Sequence, residues 1–152
     1  MRIKLTLLSG LILLILSCTK DELLKDNYFV FGSAYGECTG DCATFFLMEN
    51  DKIYPDNMSS YYNSTLTFKN DPLPQSKYDL SEVLIDDFPK YLTDNPNQTF
   101  GCPDCHDQGG IHIQIMENGE IKSWHLDTEI SSLPAEIQSY VQEIQGILQQ
   151  LR

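Results

Sequence analysis

The sequence predicts an α+β fold: an antiparallel β-sheet packed against two helices as a two-layer sandwich. Three observations predict it. Apolar and polar residues alternate on both sides of Asn118-Gly119, an apolar stripe recurs at helical spacing from Ile137 to Leu151, and the first half holds short aromatic and β-branched runs separated by turn residues. The chain has 152 residues, enough for one domain with a single core.

The domain is expected to span residues 27–152. Tyr28-Phe29-Val30-Phe31 is an aromatic and β-branched run ending at Gly32, a first strand. Residues 43–48 and 52–54 flank Glu49-Asn50-Asp51, whose turn-forming side chains predict a hairpin. Ser64-Thr65-Leu66-Thr67-Phe68 alternates and predicts a further strand. Between them, the polar stretch 54–63 carries Tyr54, Tyr61 and Tyr62. As a loop these tyrosines would offer contact area at low entropy cost, or they would cap the core. Leu80, Val83, Leu84, Phe88, Tyr91 and Leu92 share one helical face, with Asp79 or Ser81 available as a cap. Pro89 would break a continuous helix at a cost of about 3 kcal/mol, so a kink or restart is expected there, and Pro96 ends the segment.

Residues 110–127 are the best-defined structure in the chain. Ile111, Ile113 and Ile115 alternate with His112, Gln114 and Met116, Asn118-Gly119 is a strong type I′ turn signal, and the alternation resumes to Leu126. With a two-residue loop, Ile113 faces Trp124 and Ile111 faces Leu126 on the core side. His112 then lies across from His125 on the other face, with β-carbons about 5 Å apart. At the C-terminus Pro134 suits a first helical position, and Ile137, Tyr140, Val141, Ile144, Leu148 and Leu151 form one stripe. The opposite face is glutamine-rich (Gln138, Gln142, Gln145, Gln149, Gln150). Such a seam is expected to cover a sheet.

Residues 1–17 are of a different kind. Arg2 and Lys4 precede an apolar run from Leu5 to Leu16 that is too short to span a bilayer as a mature helix and has the layout of a secretory signal. The ending Leu16-Ser17-Cys18, a small residue before a cysteine, resembles a bacterial lipoprotein lipobox, in which the cysteine receives a lipid and becomes the new N-terminus. The resemblance implies a signal peptide over 1–17, a lipidated tether over 18–26 and membrane attachment through Cys18. Two or three acyl chains, at about 0.8 kcal/mol per buried methylene, hold a protein stably where one chain does not. Thr19-Lys20-Asp21-Glu22 resembles the short lysine-plus-acidic signal by which Bacteroidetes lipoproteins reach the cell surface. The implied location is the outer membrane, lipid-anchored, with exposure at the surface. Loss of Arg2 and Lys4 with the signal takes the formal net charge from −12 to −14. So acidic a balance argues against a nucleic-acid ligand and against docking on anionic headgroups, and it suits a solvated exterior protein or one that meets a basic partner.

The four remaining cysteines form two close pairs, Cys38/Cys42 and Cys102/Cys105. Outside the cytoplasm an even count most simply means disulfides, and three connectivities are open. Two local bridges close the shortest loops, whereas crossed pairings would close longer ones. Cys102-Pro103-Asp104-Cys105-His106 also admits thiol–disulfide exchange or half of a zinc site. An exchange motif should open a helix after a strand, and here Gly109-Gly110 and a strand follow instead. The three histidines, His106, His112 and His125, fall in or near one region. Two cross-strand imidazoles with a third ligand would hold zinc or copper, and two solvent-facing histidines on a sheet are the alternative.

Gly36-Glu37-Cys38-Thr39-Gly40-Asp41-Cys42 leading into a strand is similar to the Gly-x-Cys-x-Gly-x-Cys pattern of a family of uncharacterised bacterial lipoprotein domains. Cys102-Pro103-Asp104-Cys105, with Gly109-Gly110 before a strand and Trp124 on the next, resembles small Bacteroidetes-type surface lipoproteins. Ala43-Thr44-Phe45 replaces the Pro-x-Tyr-like continuation usual in that family. The resemblance implies location and fold and supplies no mechanism. With no Gly-x-Ser-x-Gly nucleophile elbow, the expectation is no enzyme and no cofactor. The function expected is a binding module for an envelope or extracellular protein or glycan. A metal-binding lipoprotein (His106, His112, His125) and a thiol–disulfide exchanger (Cys102, Cys105) are the alternatives.

Overall fold

Alternation and turn chemistry build one six-stranded sheet from β1 (Tyr28–Ala34), β2 (Ala43–Glu49), β3 (Lys52–Pro55), β4 (Gln98–Phe100), β5 (Gly110–Glu117) and β6 (Glu120–Asp127), in the order β3-β2-β1-β5-β6-β4. The computed structural model describes residues 27–36, 42–58 and 66–152. β1 is central, antiparallel to β2 and to β5, so Phe29 lies between Met48 and Ile115. Asn118 and Gly119 take φ of 53° and 81°, the left-handed pair that a type I′ hairpin requires. The expected register follows, with Ile113 opposite Trp124, Ile111 opposite Leu126 and His112 opposite His125.

One face of the sheet carries the main core. Phe29, Phe31, Ile111, Ile113, Trp124 and Leu126 pack against Leu84, Leu92 and the terminal helix α4 (Ala135–Leu151). The helix buries the expected stripe and Ile147 with it. Each fully buried aliphatic or aromatic side chain is worth roughly 1.5–3 kcal/mol, so packing rather than intrinsic propensity holds α4 in place. Tyr140 donates its hydroxyl to the Leu84 carbonyl at 2.6 Å. Two glutamines of the glutamine-rich face also act: Gln138 donates to the Leu133 carbonyl and Gln145 to that of Thr128, each at 2.9 Å. They fasten the helix to the segment leading into it. The sheet plus one helical layer is the α+β arrangement expected.

The expected first helix differs in detail. It is three short pieces, α1 (Gln75–Ser81), α2 (Val83–Asp86) and α3 (Lys90–Asp94). The restart at Pro89 occurs, since proline lacks the N–H that would continue the ladder, and a second break falls at Glu82. Neither Asp79 nor Ser81 caps the start: Pro74 holds that position, and Ser81 lies in the last turn of α1, donating to the Lys77 carbonyl at 2.9 Å. Pro134 likewise sits one residue before the first helical position of α4. β4, three residues running parallel to β6, was not expected, because so short a run has no readable period. In the segment expected as a strand over 64–68, Phe68 makes an isolated bridge to Asp56, Leu66 and Thr67 are not strand, and Ser64 and Thr65 lie outside the described residues.

The other face of the sheet holds a second cluster: Tyr28, Val30, Phe45, Leu47, Tyr54 and Phe68. Tyr54 is therefore a core residue on β3, while Tyr61 and Tyr62 lie outside the described residues. Among the described residues no helix is long and apolar enough to cross a membrane.

Candidate functional site

At one end of the sheet, where β5 begins and β6 finishes, the chain is stapled. Cys102 and Cys105 form a disulfide with Cα atoms 5.5 Å apart. The loop around it turns through left-handed residues Gly101, Asp104, Asp107 and Gly109. The Asp104 carboxylate accepts from the N–H of Gly109 at 3.0 Å and from that of Gly36, tying this loop to the segment after β1. Asp127, 3% exposed, accepts from the N–H of Cys102 at 2.8 Å and of Glu129 at 2.9 Å. Burial pushes the Asp127 carboxyl up. Hydrogen bonds from Glu129, Cys102, Ser132 and Gln108 outweigh it and hold the group below the usual carboxylate range. Cys42 is also disulfide-bonded. Cys38 and Cys18 lie outside the described residues. The Cys102/Cys105 pair opens onto β5 rather than a helix, so the helix N-terminus that lowers a thiol pKa in exchange motifs is missing.

His112 and His125 come together as the register requires, ring centroids 4.8 Å apart and tilted 53°. A gap in the neighbouring strand creates their surroundings. Gly32 is the β1 residue opposite His112, and a Cβ there would lie 2.3 Å from the Thr44 carbonyl oxygen and 2.5 Å from the Phe45 ring. The Phe45 ring occupies that space and meets His112 edge-on at 5.7 Å. β1 continues through Gly32 to Ala34, beyond the end expected at Gly32. His112 is 5% exposed and His125 is exposed. Burial, aided by the neighbouring His125, lowers His112 to about 4, and burial also lowers His125. Both rings are therefore neutral at pH 7. His106 sits on the exposed loop, and among the described residues no group of three or more His, Cys, Asp and Glu side chains is placed to hold a metal ion.

At the opposite end of the sheet a cleft of about 370 Å³ opens between the strands and the helical layer. Its size falls within the range of small-molecule sites. Phe29, Ile115, Trp124 and Phe88 contribute the apolar wall. Phe88 is placed there by the break before Pro89, with its ring 5.3 Å from Trp124 and 6.2 Å from Phe29. The Trp124 indole N–H donates to the Asn95 carbonyl at 2.8 Å, which fixes the ring. Glu49, Glu117 and Lys122 supply the charged groups of the lining. Tyr78, also on the lining, donates its hydroxyl to Asp51 at 3.3 Å. Burial raises its pKa, and the carboxylates of Asp51 and Glu82 raise it further. Ile85 stands at the lip, 43% exposed. Asn27 lines the same cleft and its side-chain oxygen accepts from the Asn118 N–H at 3.1 Å.

Sequence reasoning located the cysteine pair and the histidine pair but not the cleft. Its walls come from β1, β2, β5, β6 and the broken helical segment, so no local pattern marks it. The one available signal was Phe88-Pro89, an aromatic on the core face next to a helix break. No family model and no curated protein matches the chain.

Proposed function

We propose that this chain is a lipid-anchored protein of the cell envelope, held at the outer membrane through Cys18, whose single domain is a non-catalytic binding module. The observation that carries the binding role is the cleft, an apolar-walled, charge-rimmed recess of about 370 Å³ on whose lining the chain from the anchor arrives at Asn27. The stapled loop is at the other end of the sheet. The charge layout and apolar length of residues 1–17, followed by Ser17-Cys18, support the anchor, and Lys20-Asp21-Glu22 supports display at the surface. The paired cysteines suit an oxidising compartment. The partner is an envelope or extracellular molecule, and the acidic balance turns it away from nucleic acid.

Metabolic labelling of the full chain with an alkyne fatty acid, in a bacterial host that processes lipoproteins, tests the anchor. The native chain is expected to take up label and sediment with outer membrane, and Cys18→Ala to remain unlabelled. Unlabelled native protein recovered in the soluble fraction would overturn the reading.

A further inference from the structure

The groups around the cleft say more than that something binds there. Ile85, Phe88 and Ile115 give an apolar bed large enough for a fused aromatic or branched aliphatic body. The charged groups above it are unequal in number: Glu49 and Glu117 against Lys122. Glu120 stands directly opposite Glu117 on its hairpin and Lys52 opposite Glu49 on the other, and Asp51, bonded to Tyr78, adds a further carboxylate, so acidic groups around the lining still outnumber basic ones. Tyr78 on the same lining is raised first by burial and then by the carboxylates of Asp51, Glu82 and Asp86, which agrees with an acidic surround. Faces of Phe and Tyr, like carboxylates, attract ammonium groups. An anionic ligand would meet repulsion at each of these carboxylates and attraction at Lys122.

We propose that the cleft binds a small organic cation, an amine with an apolar body, its apolar part on Phe88, Ile85 and Ile115 and its ammonium beside Glu117 and Glu49. The inference rests on the binding-module reading and adds the ligand class. It also assigns the lip residue Ile85, 43% exposed, a role as contact surface.

The test uses Trp124, the only tryptophan of the chain, as reporter. Full-length mature protein labelled with 5-fluorotryptophan, in nanodiscs of zwitterionic lipid, is titrated with three probes of one shape: 2-(1-naphthyl)ethylamine, 1-naphthylacetate and 2-(1-naphthyl)ethanol. The fluorine resonance is expected to shift with the amine at a concentration roughly tenfold below that needed for the carboxylate. Glu117→Gln is expected to weaken the amine about threefold, the scale of one partly exposed charge pair. Ile85→Lys places a cation at the lip and should abolish the shift. Ile121→Lys makes the same change at an exposed site outside the lining and should leave it intact. Tighter or equal response to the carboxylate or the alcohol overturns the cation inference while leaving a binding module standing. No response to any of the three, or equal loss in both lysine variants, overturns the cleft as a binding site and the reading beneath it.

Discussion

The two ends of this sheet are built on opposite plans. Where β5 begins, the backbone is held by a disulfide and by two carboxylates that each accept at least two backbone N–H groups. Its glycines are packed tightly as well: a Cβ on Gly101 would lie 2.5 Å from the Asp127 Cβ. Where β5 ends, a two-residue turn suffices, and a Cβ on Gly119 would meet nothing within 4 Å. The chain concentrates its constraints at one end and leaves an apolar recess with charged lips at the other. The stapled end has an open recess of its own, about 840 Å³ beside Tyr35, Cys42, Asp56 and Arg152, but the recess with the mainly apolar wall is the one at the other end.

The largest expected break in this contrast comes from Asp127→Ala. It removes the acceptor for the N–H groups of Cys102 and Glu129 and the partner of Gln108, and unmade buried hydrogen bonds cost roughly 1–3 kcal/mol each. A loss of about 4 kcal/mol is expected in chemical denaturation of the full chain, with amine affinity unchanged in the protein that remains folded. A smaller loss would mean that the loop holds without its carboxylate.

The two glycines make the comparison directly. Gly101→Ala combines a left-handed residue with a steric clash, for about 3 kcal/mol. Gly119→Ala keeps only the backbone penalty, about 1 kcal/mol. Equal losses in the two variants would contradict the difference in packing between the ends.

Between the ends lies the pH-sensitive element. His112 titrates near 4 when folded and near 6.5 when unfolded. In that window the unfolded chain holds the extra proton, so stability is full above about pH 6.5 and declines as pH falls to about 4, by on the order of 3 kcal/mol. The depressed Asp127 acts with the same sign at lower pH, losing its contribution as it becomes protonated. His112→Phe should flatten the upper part of this slope in denaturation curves taken across pH 4–7. A native protein equally stable at pH 4.5 and 7 would show that the ring is not buried neutral.

How much of this could be read in advance follows from the range of each signal. The hairpin was legible down to single pairs, because period and turn chemistry are local and agree. So was the α4 stripe, though Ile147 escaped it through its place next to Gly146. The break at Pro89 was legible because proline acts on its own residue, whereas the break at Glu82 has no such marker. β4 was illegible because its three residues take their strand geometry from β6. The histidine pair was foreseen in register but not in burial, since Phe45 covers His112 only through the missing side chain of Gly32. The cleft was the least legible feature of all, made from five separated segments whose residues each read locally as core or as solvated surface.

The central claim is that the cleft end receives a ligand and the stapled end does not. Amide hydrogen exchange of the full mature chain, with and without 2-(1-naphthyl)ethylamine, tests it most directly. The account predicts slowed exchange at residues 27–29, 48–50 and 115–117, with residues 101–109 unchanged. Slowing confined to 101–109, or at neither end, would contradict it.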